Sequence, residues 1–115
     1  MGANRVRTFK EERERLNSIV LENAGLVTKR FFNLDTQTYQ DGALPSRTKE
    51  MLGLVASTVL RCDDCILYHL IQCREQGLTR EELEEILSVS LIVGGSITIP
   101  HIRRAWAAWE EMAEA

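Results

Sequence analysis

Residues 62–69 read Cys-Asp-Asp-Cys-Ile-Leu-Tyr-His, within flanks whose apolar residues recur at the spacing of an α-helix. Eleven residues separate Glu50 from Cys62, two separate Cys62 from Cys65, and three separate Cys65 from His69. Two thiols can form a disulfide, an imidazole can take a proton from a thiol, and a carboxylate can orient that imidazole. The stretch therefore predicts helical sequence that carries the components of a dithiol redox or peroxidase site.

Helix geometry brings three of these side chains together. At about 100° per residue, Cys62 and His69 lie ~20° apart around the axis and Cys65 lies ~40° from His69, so all three can point into one pocket. A helix that starts near Cys62 favours the thiolate there, because unpaired amides and the helix dipole stabilise negative charge. The one-turn spacing to His69 favours Cys65 instead. The sequence leaves open which thiol attacks a substrate first.

Glu50 is predicted to approach His69 from the preceding helix. If the chain reverses direction near Arg61, Glu50 lies eleven residues before the corner and His69 lies eight residues after it. Their distances from the corner along the helix axes then differ by only ~4–5 Å. Contact is therefore feasible, and a carboxylate at hydrogen-bond distance would fix the tautomer of the imidazole and raise its basicity.

The first half of the chain predicts two helices and a loop. Residues 8–32 have a partial apolar stripe, with Thr8 as the predicted N-cap. Residues 33–45 are rich in Asp, Thr, Gln and Gly and predict a loop or short turns. Ser46 is the predicted N-cap of a helix over residues 47–60.

The second half also predicts helices. A helix over residues 63–76 is expected to stop at Gly77, and residues 79–82, Thr-Arg-Glu-Glu, fit a capping box that opens the next helix. Residues 90–99 alone resemble a hairpin with a Gly-Gly turn, but an isolated hairpin is marginal. Two helices that meet at Gly94–Gly95, where missing side chains permit close packing, are therefore the preferred interpretation.

The last helix is expected to begin near Pro100 and to carry both tryptophans. Trp106 and Trp109 are three residues apart and share a face. Packing in the core or at a subunit interface explains such a pair better than a ligand site does. The fold class predicted from the whole chain is all-α, in one domain over residues 1–115.

Composition limits the classes of partner. The net charge is −3, and no basic stripe with interleaved aromatic residues is present, so nucleic acid is not an expected partner. Residues 1–14 have no apolar signal region, and the apolar run over residues 89–100 is interrupted by polar residues and glycines. We therefore expect a soluble, cytoplasmic protein without a membrane segment. Three cysteines with one close pair do not make a secreted disulfide framework.

Other interpretations of the motif compete with dithiol chemistry. Cys62, Cys65 and His69, with Cys73 or Glu50, could make four metal ligands, but structural zinc sites usually have two ligand pairs far apart in sequence. The cysteines could also simply fill the core, although Asp63 and Asp64 between them indicate a partly exposed segment. A third alternative is a proton-transfer enzyme that uses His69 alone. Cys73 and His101 are interpreted as structural and left out of the site, and neither a cofactor nor a metal is expected.

The pattern Glu50–Cys62–Cys65–His69 resembles the signature of the alkyl hydroperoxidase AhpD-like superfamily, which contains the carboxymuconolactone decarboxylase family. The similarity extends over roughly residues 40–106 and includes the flanks RTKEMLGLVAS, CDDCILYHLIQCREQGLTREELEEIL and VGGSITIPHIRRAW. Four residues at the full spacing are much more specific than a lone CxxC pair.

The resemblance implies an AhpD-like helical bundle that assembles into trimers or hexamers. It also implies a peroxidase that acts on a hydroperoxide, with Glu50 and His69 as a proton relay and Cys62 and Cys65 as the redox pair. Hydroperoxidases of this type are reduced by a lipoyl-bearing protein, so a dithiol or lipoyl-type reductant is the expected partner.

The chain departs from these hydroperoxidases in two features. It is about one repeat of the fold long, and Asp64 stands where they often carry His; an acidic neighbour disfavours a thiolate. The length resembles the decarboxylase branch, whose true decarboxylases are expected to act on a lactone by proton transfer and to lack the CxxC pair. A decarboxylase-like lyase, and a dithiol oxidoreductase or metal-binding module without peroxidase activity, are therefore the alternatives.

Overall fold

A computed structural model describes residues 4–113 of the chain, and within that range the ordered elements are helices. The all-α prediction is therefore confirmed, while the first three and last two residues of the predicted domain lie outside the described range. The elements are α1 (Arg5–Asn23), α2 (Leu26–Thr38), α3 (Ser46–Val59), α4 (Asp63–Glu75), α5 (Arg80–Gly94), a short 3₁₀ turn (Ser96–Thr98) and α6 (Ile99–Ala113).

The core lies between α3, α4, α5 and α6. Helix α4 packs against both α3 and α6, and α5 packs against the other side of α3. Leu54, Leu70 and Leu83 are fully buried at these contacts, and Trp109 of α6 is buried with them. Burial of such side chains contributes roughly 1.5–3 kcal/mol each to the hydrophobic stabilisation. The core therefore fixes the position of α3, which carries Glu50, relative to α4, which carries His69.

The corner between α3 and α4 is tight. Arg61 adopts a left-handed conformation with φ of 61°, and the Cys62 amide donates a hydrogen bond to the Ser57 carbonyl at 3.1 Å. A left-handed residue reverses the chain within one turn, which is why α4 begins immediately after α3 ends. This is the reversal near Arg61 that the sequence predicted.

The N-terminal region differs from its prediction. The prediction of a single helix over residues 8–32 is wrong, because Ala24 and Gly25 have extended backbones and separate α1 from α2. Thr8 is not the N-cap; Asn4 is, and its side-chain oxygen accepts hydrogen bonds from the amides of Val6 and Arg7. The loop predicted over residues 33–45 begins later, since α2 continues to Thr38.

The remaining helix ends agree closely with the sequence. Ser46 is the first residue of α3 rather than its N-cap, which is Pro45. Gly77 follows the end of α4 with a positive φ of 87°, and Thr79 and Glu82 form the predicted capping box. A Cβ placed on Gly94 would lie 3.6 Å from the Cα of Val59, so α5 and α3 do approach closely there.

No helix within residues 4–113 is both long enough and apolar enough to cross a membrane.

Candidate active site

The two cysteines of the CxxC pair stand at the start of α4. Cys62 is the N-cap residue, and its sulfur accepts a hydrogen bond from the Cys65 amide at 3.3 Å. The two sulfurs are joined in a disulfide, with the Cα atoms 5.3 Å apart. Cys65 is exposed, whereas Cys62 is only half-exposed. The structure therefore brings together the thiol pair that the sequence predicted, at a helix end that stabilises negative charge on sulfur.

Glu50 and His69 meet across the α3–α4 contact. Glu50 is only 3% exposed, and its Oε1 lies 3.4 Å from Nδ1 of His69. This is an ion-pair distance but longer than a good hydrogen bond, and Glu50 Oε2 and His69 Nδ1 have no other hydrogen-bond partner in the described chain. A buried carboxylate oxygen without a hydrogen-bond partner is uncommon in folded proteins and calls for an explanation. The predicted contact is present.

Two tyrosines flank the imidazole of His69. Tyr39 is the first residue after α2, and its hydroxyl lies 3.5 Å from Nε2 of His69. The Tyr39 ring centroid lies 5.2 Å from the centroid of the imidazole. Tyr68 of α4 stacks edge-on at 5.3 Å. Burial, and secondarily the charge of Glu50, raises the pKa of both phenols, so both are neutral donors at physiological pH. The sequence analysis did not identify either residue.

Gly53 makes room for the imidazole. It lies on α3 three residues after Glu50, and a Cβ placed there would meet the His69 ring at 2.7–2.9 Å. Real Cβ atoms do not approach other atoms so closely, so only glycine lets the imidazole lie against α3 at this position. The three-residue spacing from Glu50 along a helix was a signal in the sequence that could have identified this position.

A cavity of about 420 Å³ opens onto the exposed thiol. Cys65 and His69 both line it, together with Tyr68 from α4 and the apolar side chains of Phe9 and Leu16 from α1. Cys62 does not line it. The volume suits a small organic molecule, and the lining is mixed, with the charged side chains of Glu12, Arg13 and Asp35 beside the apolar ones. Of the three motif residues predicted to point into one pocket, Cys65 and His69 line this cavity, and Cys62 is joined to Cys65 by the disulfide.

The two aspartates between the cysteines have different surroundings. Asp63 Oδ1 lies 2.8 Å from Nδ1 of His101, and its Oδ2 accepts a hydrogen bond from Arg104 Nε at 3.1 Å. Asp64 is exposed and lines the cavity. Because His101 and Arg104 belong to α6, the pair ties the start of α4 to that helix. His101, which the sequence analysis left out of the site, contacts Asp63 and does not contact Glu50 or His69 in the described chain.

Cys73 lies apart from the disulfide, in the core. It is fully buried, and burial, with a smaller effect of the Glu50 charge, raises the pKa of its thiol to about 12. Its interpretation as a small core side chain agrees with this position. Among residues 4–113, no three His, Cys, Asp or Glu side chains come together as metal ligands would.

The fold and the site together define an all-α protein with a dithiol at a helix N-terminus and a carboxylate–histidine pair beside it. Residues 26–111 match the model of the carboxymuconolactone decarboxylase family. The chain belongs to this family.

Two curated relatives share the sequence over part of their length. An uncharacterised protein of Cupriavidus necator is 33% identical over 73 residues, which cover 64% of this chain and 65% of that protein. The match thus spans just under two thirds of that relative. An uncharacterised protein of the cox locus of Paracoccus denitrificans is 29% identical over 82 residues, covering 71% of this chain and 74% of that protein.

Solved structures give a closer likeness. A crystal structure of a Thermotoga maritima protein has a TM-score of 0.91 and 56% identity, covering 94% of this chain and 95% of that one. A second, at TM-score 0.89 and 55% identity over 93% and 91%, is described as a carboxymuconolactone decarboxylase family protein whose involvement in an antioxidative response has been suggested. A Legionella pneumophila family member, at TM-score 0.80 but 24% identity over 97% of each chain, supports the fold alone.

Proposed function

We propose that this protein is a thiol-dependent peroxidase, a peroxiredoxin-type oxidoreductase that cycles between a dithiol and the Cys62–Cys65 disulfide. One observation carries the proposal: Cys65, an exposed residue, lines the same cavity as His69, while Cys62 stands one helical turn away as its disulfide partner. The antioxidative response suggested for the Thermotoga maritima relative is consistent with this activity.

The proton relay begins at Glu50. Its buried carboxylate faces Nδ1 of His69 at 3.4 Å, so the imidazole carries its proton on Nδ1 and presents Nε2 as the basic nitrogen. His69 takes the proton of the attacking thiol through Nε2, directly or through an intervening hydroxyl or water. Glu50 stabilises the imidazolium that results.

Cys65 is the attacking thiol in this proposal. Cys65 is exposed and lines the cavity, whereas Cys62, the N-cap, is only half-exposed and is not among the residues that line it. The Cys65 thiolate attacks the terminal oxygen of the hydroperoxide ROOH, the O–O bond breaks, and sulfur becomes a sulfenic acid. The departing alkoxide takes up the proton from the His69 imidazolium and leaves as the alcohol ROH.

Cys62 completes the oxidation. Its thiol attacks the sulfenic sulfur of Cys65, the disulfide forms, and the hydroxyl leaves as water. A dithiol reductant, such as a lipoyl-type protein, then restores both thiols by exchange and is itself oxidised to a disulfide. A resting dithiol is the state that a reducing compartment maintains, so the proposed cycle fits the cytoplasm.

A homo-oligomer is part of the same proposal. None of the residues of α2 is buried by the rest of the chain, although Val27, Phe31 and Leu34 lie on one face of it and are 59–83% exposed. Ile92 and Val93 of α5 are also exposed. Such apolar patches mark protein contacts, and a second copy of the chain, in a trimer or hexamer, is the proposed occupant.

The deciding experiment counts thiols on fully reduced protein. One equivalent of cumene hydroperoxide should remove two of the three thiols and lower the intact mass by ~2 Da, with the new disulfide mapped to Cys62–Cys65. Unchanged thiols would overturn the peroxidase proposal. Reduction of the disulfide by dihydrolipoamide without any peroxide reaction would then identify a dithiol oxidoreductase, and turnover of a lactone would identify the decarboxylase-like alternative.

Single variants separate the roles of the thiols. Cys62→Ser should still react with one equivalent of peroxide and leave a sulfenic acid on Cys65 that dimedone traps. Cys65→Ser should not react, and full activity in that variant would contradict the two-thiol cycle. Cys73→Ala is the matched control and should keep the turnover of the unmodified protein.

Glu50→Gln should slow alkylation of Cys65 at neutral pH while the far-UV circular dichroism spectrum stays unchanged.

A further inference from the structure

His69 is approached at both of its ring nitrogens. Glu50 Oε1 faces Nδ1 at 3.4 Å, and the Tyr39 hydroxyl faces Nε2 at 3.5 Å from the opposite side. A carboxylate can only accept a hydrogen bond, so Nδ1 carries the proton. Nε2 is then an acceptor, and the hydroxyl of Tyr39 is the donor that fits it.

We propose that Tyr39 is a positioning residue for the dithiol chemistry, and that its hydroxyl holds the imidazole of His69 in the tautomer and orientation in which Nε2 is the base. This inference rests on the proposed function, because the base it positions is the one that the peroxidase cycle needs. Tyr39 acts through His69 and makes no contact with the cysteines. Because Nε2 has a single lone pair, the Tyr39 O–H donates to it only in the resting state and rotates away when the thiol proton reaches Nε2 through a water. The phenol oxygen then accepts a hydrogen bond from the N–H of the imidazolium.

The position of Tyr39 is itself supported. It follows the last residue of α2, and the next residue, Gln40, accepts a hydrogen bond at its carbonyl from Nζ of Lys49 at 2.7 Å. Lys49 is the neighbour of Glu50 on α3. The same short stretch of α3 thus holds Glu50 on one side of the imidazole and anchors the segment that brings Tyr39 to the other side.

The electrostatic surroundings keep the hydroxyl protonated. Burial, followed by the negative charges of Glu50 and Asp35, raises the pKa of Tyr39, so the phenol remains a donor throughout the range in which a thiol is titrated. Charged and titratable groups reach this region from α1, α2, α3 and α4: Glu12, Arg13, Asp35, Glu50, Asp64, Cys65 and Tyr68.

Thr38 provides the control. It is the last residue of α2, next to Tyr39, and its hydroxyl donates to the Leu34 carbonyl at 2.7 Å rather than to a residue of the site. Tyr39→Phe and Thr38→Val each remove one hydroxyl from the same segment and keep most of the side chain. An effect that came only from loosening the end of α2 would be similar in both variants.

The test measures His69 and Cys65 without using peroxide turnover. On reduced protein, the rate of Cys65 alkylation by iodoacetamide is recorded from pH 5 to 9, with Cys62→Ser as the common background. Tyr39→Phe should lower the rate at pH 7 about fivefold, the change that a typical single hydrogen bond supports, and shift the pH profile. Thr38→Val should stay within twofold of the background. Equal rates in the two variants would overturn the proposal.

A second readout does not depend on how the variants fold. Nitrogen-15 NMR of the reduced native protein should show the neutral imidazole of His69 protonated at Nδ1 and unprotonated at Nε2, with the signals of the only other histidine, His101, assigned through His101→Asn. The opposite tautomer would overturn the positioning role. Native protein that shows the expected tautomer but fails to reduce cumene hydroperoxide would instead contradict the proposed function.

Discussion

At the scale of single residues, the absence of a side chain at Gly53 matters as much as any reactive group. The imidazole of His69 occupies the space where a Cβ would stand, with ring atoms at 2.7–2.9 Å from that position. In an exposed helix interior, Gly→Ala stabilises by roughly 1 kcal/mol. At Gly53 the methyl must instead displace the imidazole, so geometry outweighs helix propensity.

Gly53→Ala should therefore lower turnover strongly. A displacement of about 1 Å at a catalytic group costs on the order of 100-fold in rate, and we expect a loss of this size in cumene hydroperoxide reduction. Gly25→Ala is the control, because a Cβ at Gly25 meets nothing within 4 Å. Normal activity in Gly53→Ala would show that His69 does not need its present position.

Cys73 should be chemically silent in the folded protein. With its pKa raised to about 12 by burial, the thiol is protonated at neutral pH and shielded from reagents. Iodoacetamide at pH 8 should therefore modify two thiols of the reduced native protein, and the third only after denaturation. Modification of all three in the native state would contradict the burial of Cys73.

The same thiol makes stability depend on alkaline pH. Its pKa is about 12 in the folded state against an ordinary value of 9.0, so its contribution is complete below pH 9. It is lost as the pH rises from about 9 to about 12, because only the unfolded chain releases the proton readily. Cys73→Ala should flatten the fall in urea midpoint over this range. Because the pKa values of Tyr39 and Tyr68 are also raised, the urea midpoint of the variant should still fall somewhat with rising pH.

At the scale of helices, the contact of Asp63 with His101 and Arg104 fixes the start of α4 to α6. Asp63→Asn should reduce the free energy of unfolding by about 1 kcal/mol relative to Asp64→Asn, measured by urea denaturation of reduced protein. Both residues lie in the first turn of α4, so their interactions with the helix dipole cancel in the comparison. Equal stabilities would show that the contact with α6 contributes nothing.

The helix pattern was largely predictable, and the errors have identifiable causes. The polar residues after Phe32 predicted a loop, but the hydroxyls of Thr36 and Thr38 donate hydrogen bonds to the carbonyls four residues earlier, at 3.1 and 2.7 Å. These side chains are satisfied inside the helix, which composition alone cannot show. Thr8 and Asn4 are both good N-cap residues, and Asn4 prevails because its amide also donates to the Glu111 carbonyl of α6.

The candidate site was predictable where its residues lie on one helix or on two adjacent ones. Spacing along α4 and the short corner at Arg61 were enough to bring Cys65, His69 and Glu50 together. Tyr39 could not be found in this way, since its approach depends on how α2 and the following loop lie against α3. Tertiary placement of a loop leaves no periodic signal in the sequence.

At the scale of the whole molecule, the exposed face of α2 predicts assembly. Light scattering at micromolar concentration should give the mass of a trimer or hexamer, and Phe31→Lys should shift it to smaller species, because a buried unpaired charge is strongly unfavourable at an interface. Thr36→Lys places the same charge on the opposite side of α2 and should leave the mass unchanged. A monomer in the unmodified protein would overturn the oligomer proposal.

The light packing of α2 on its own chain has one more consequence. Tyr39 stands at the end of this helix, so the support for Nε2 of His69 is only as firm as the contacts that hold α2 in place. If a second copy supplies those contacts, specific activity becomes a function of protein concentration. Dilution below the dissociation constant of the assembly would then lower the activity of each subunit before any of them unfolds. Total activity would therefore rise more steeply than in proportion to the amount of protein.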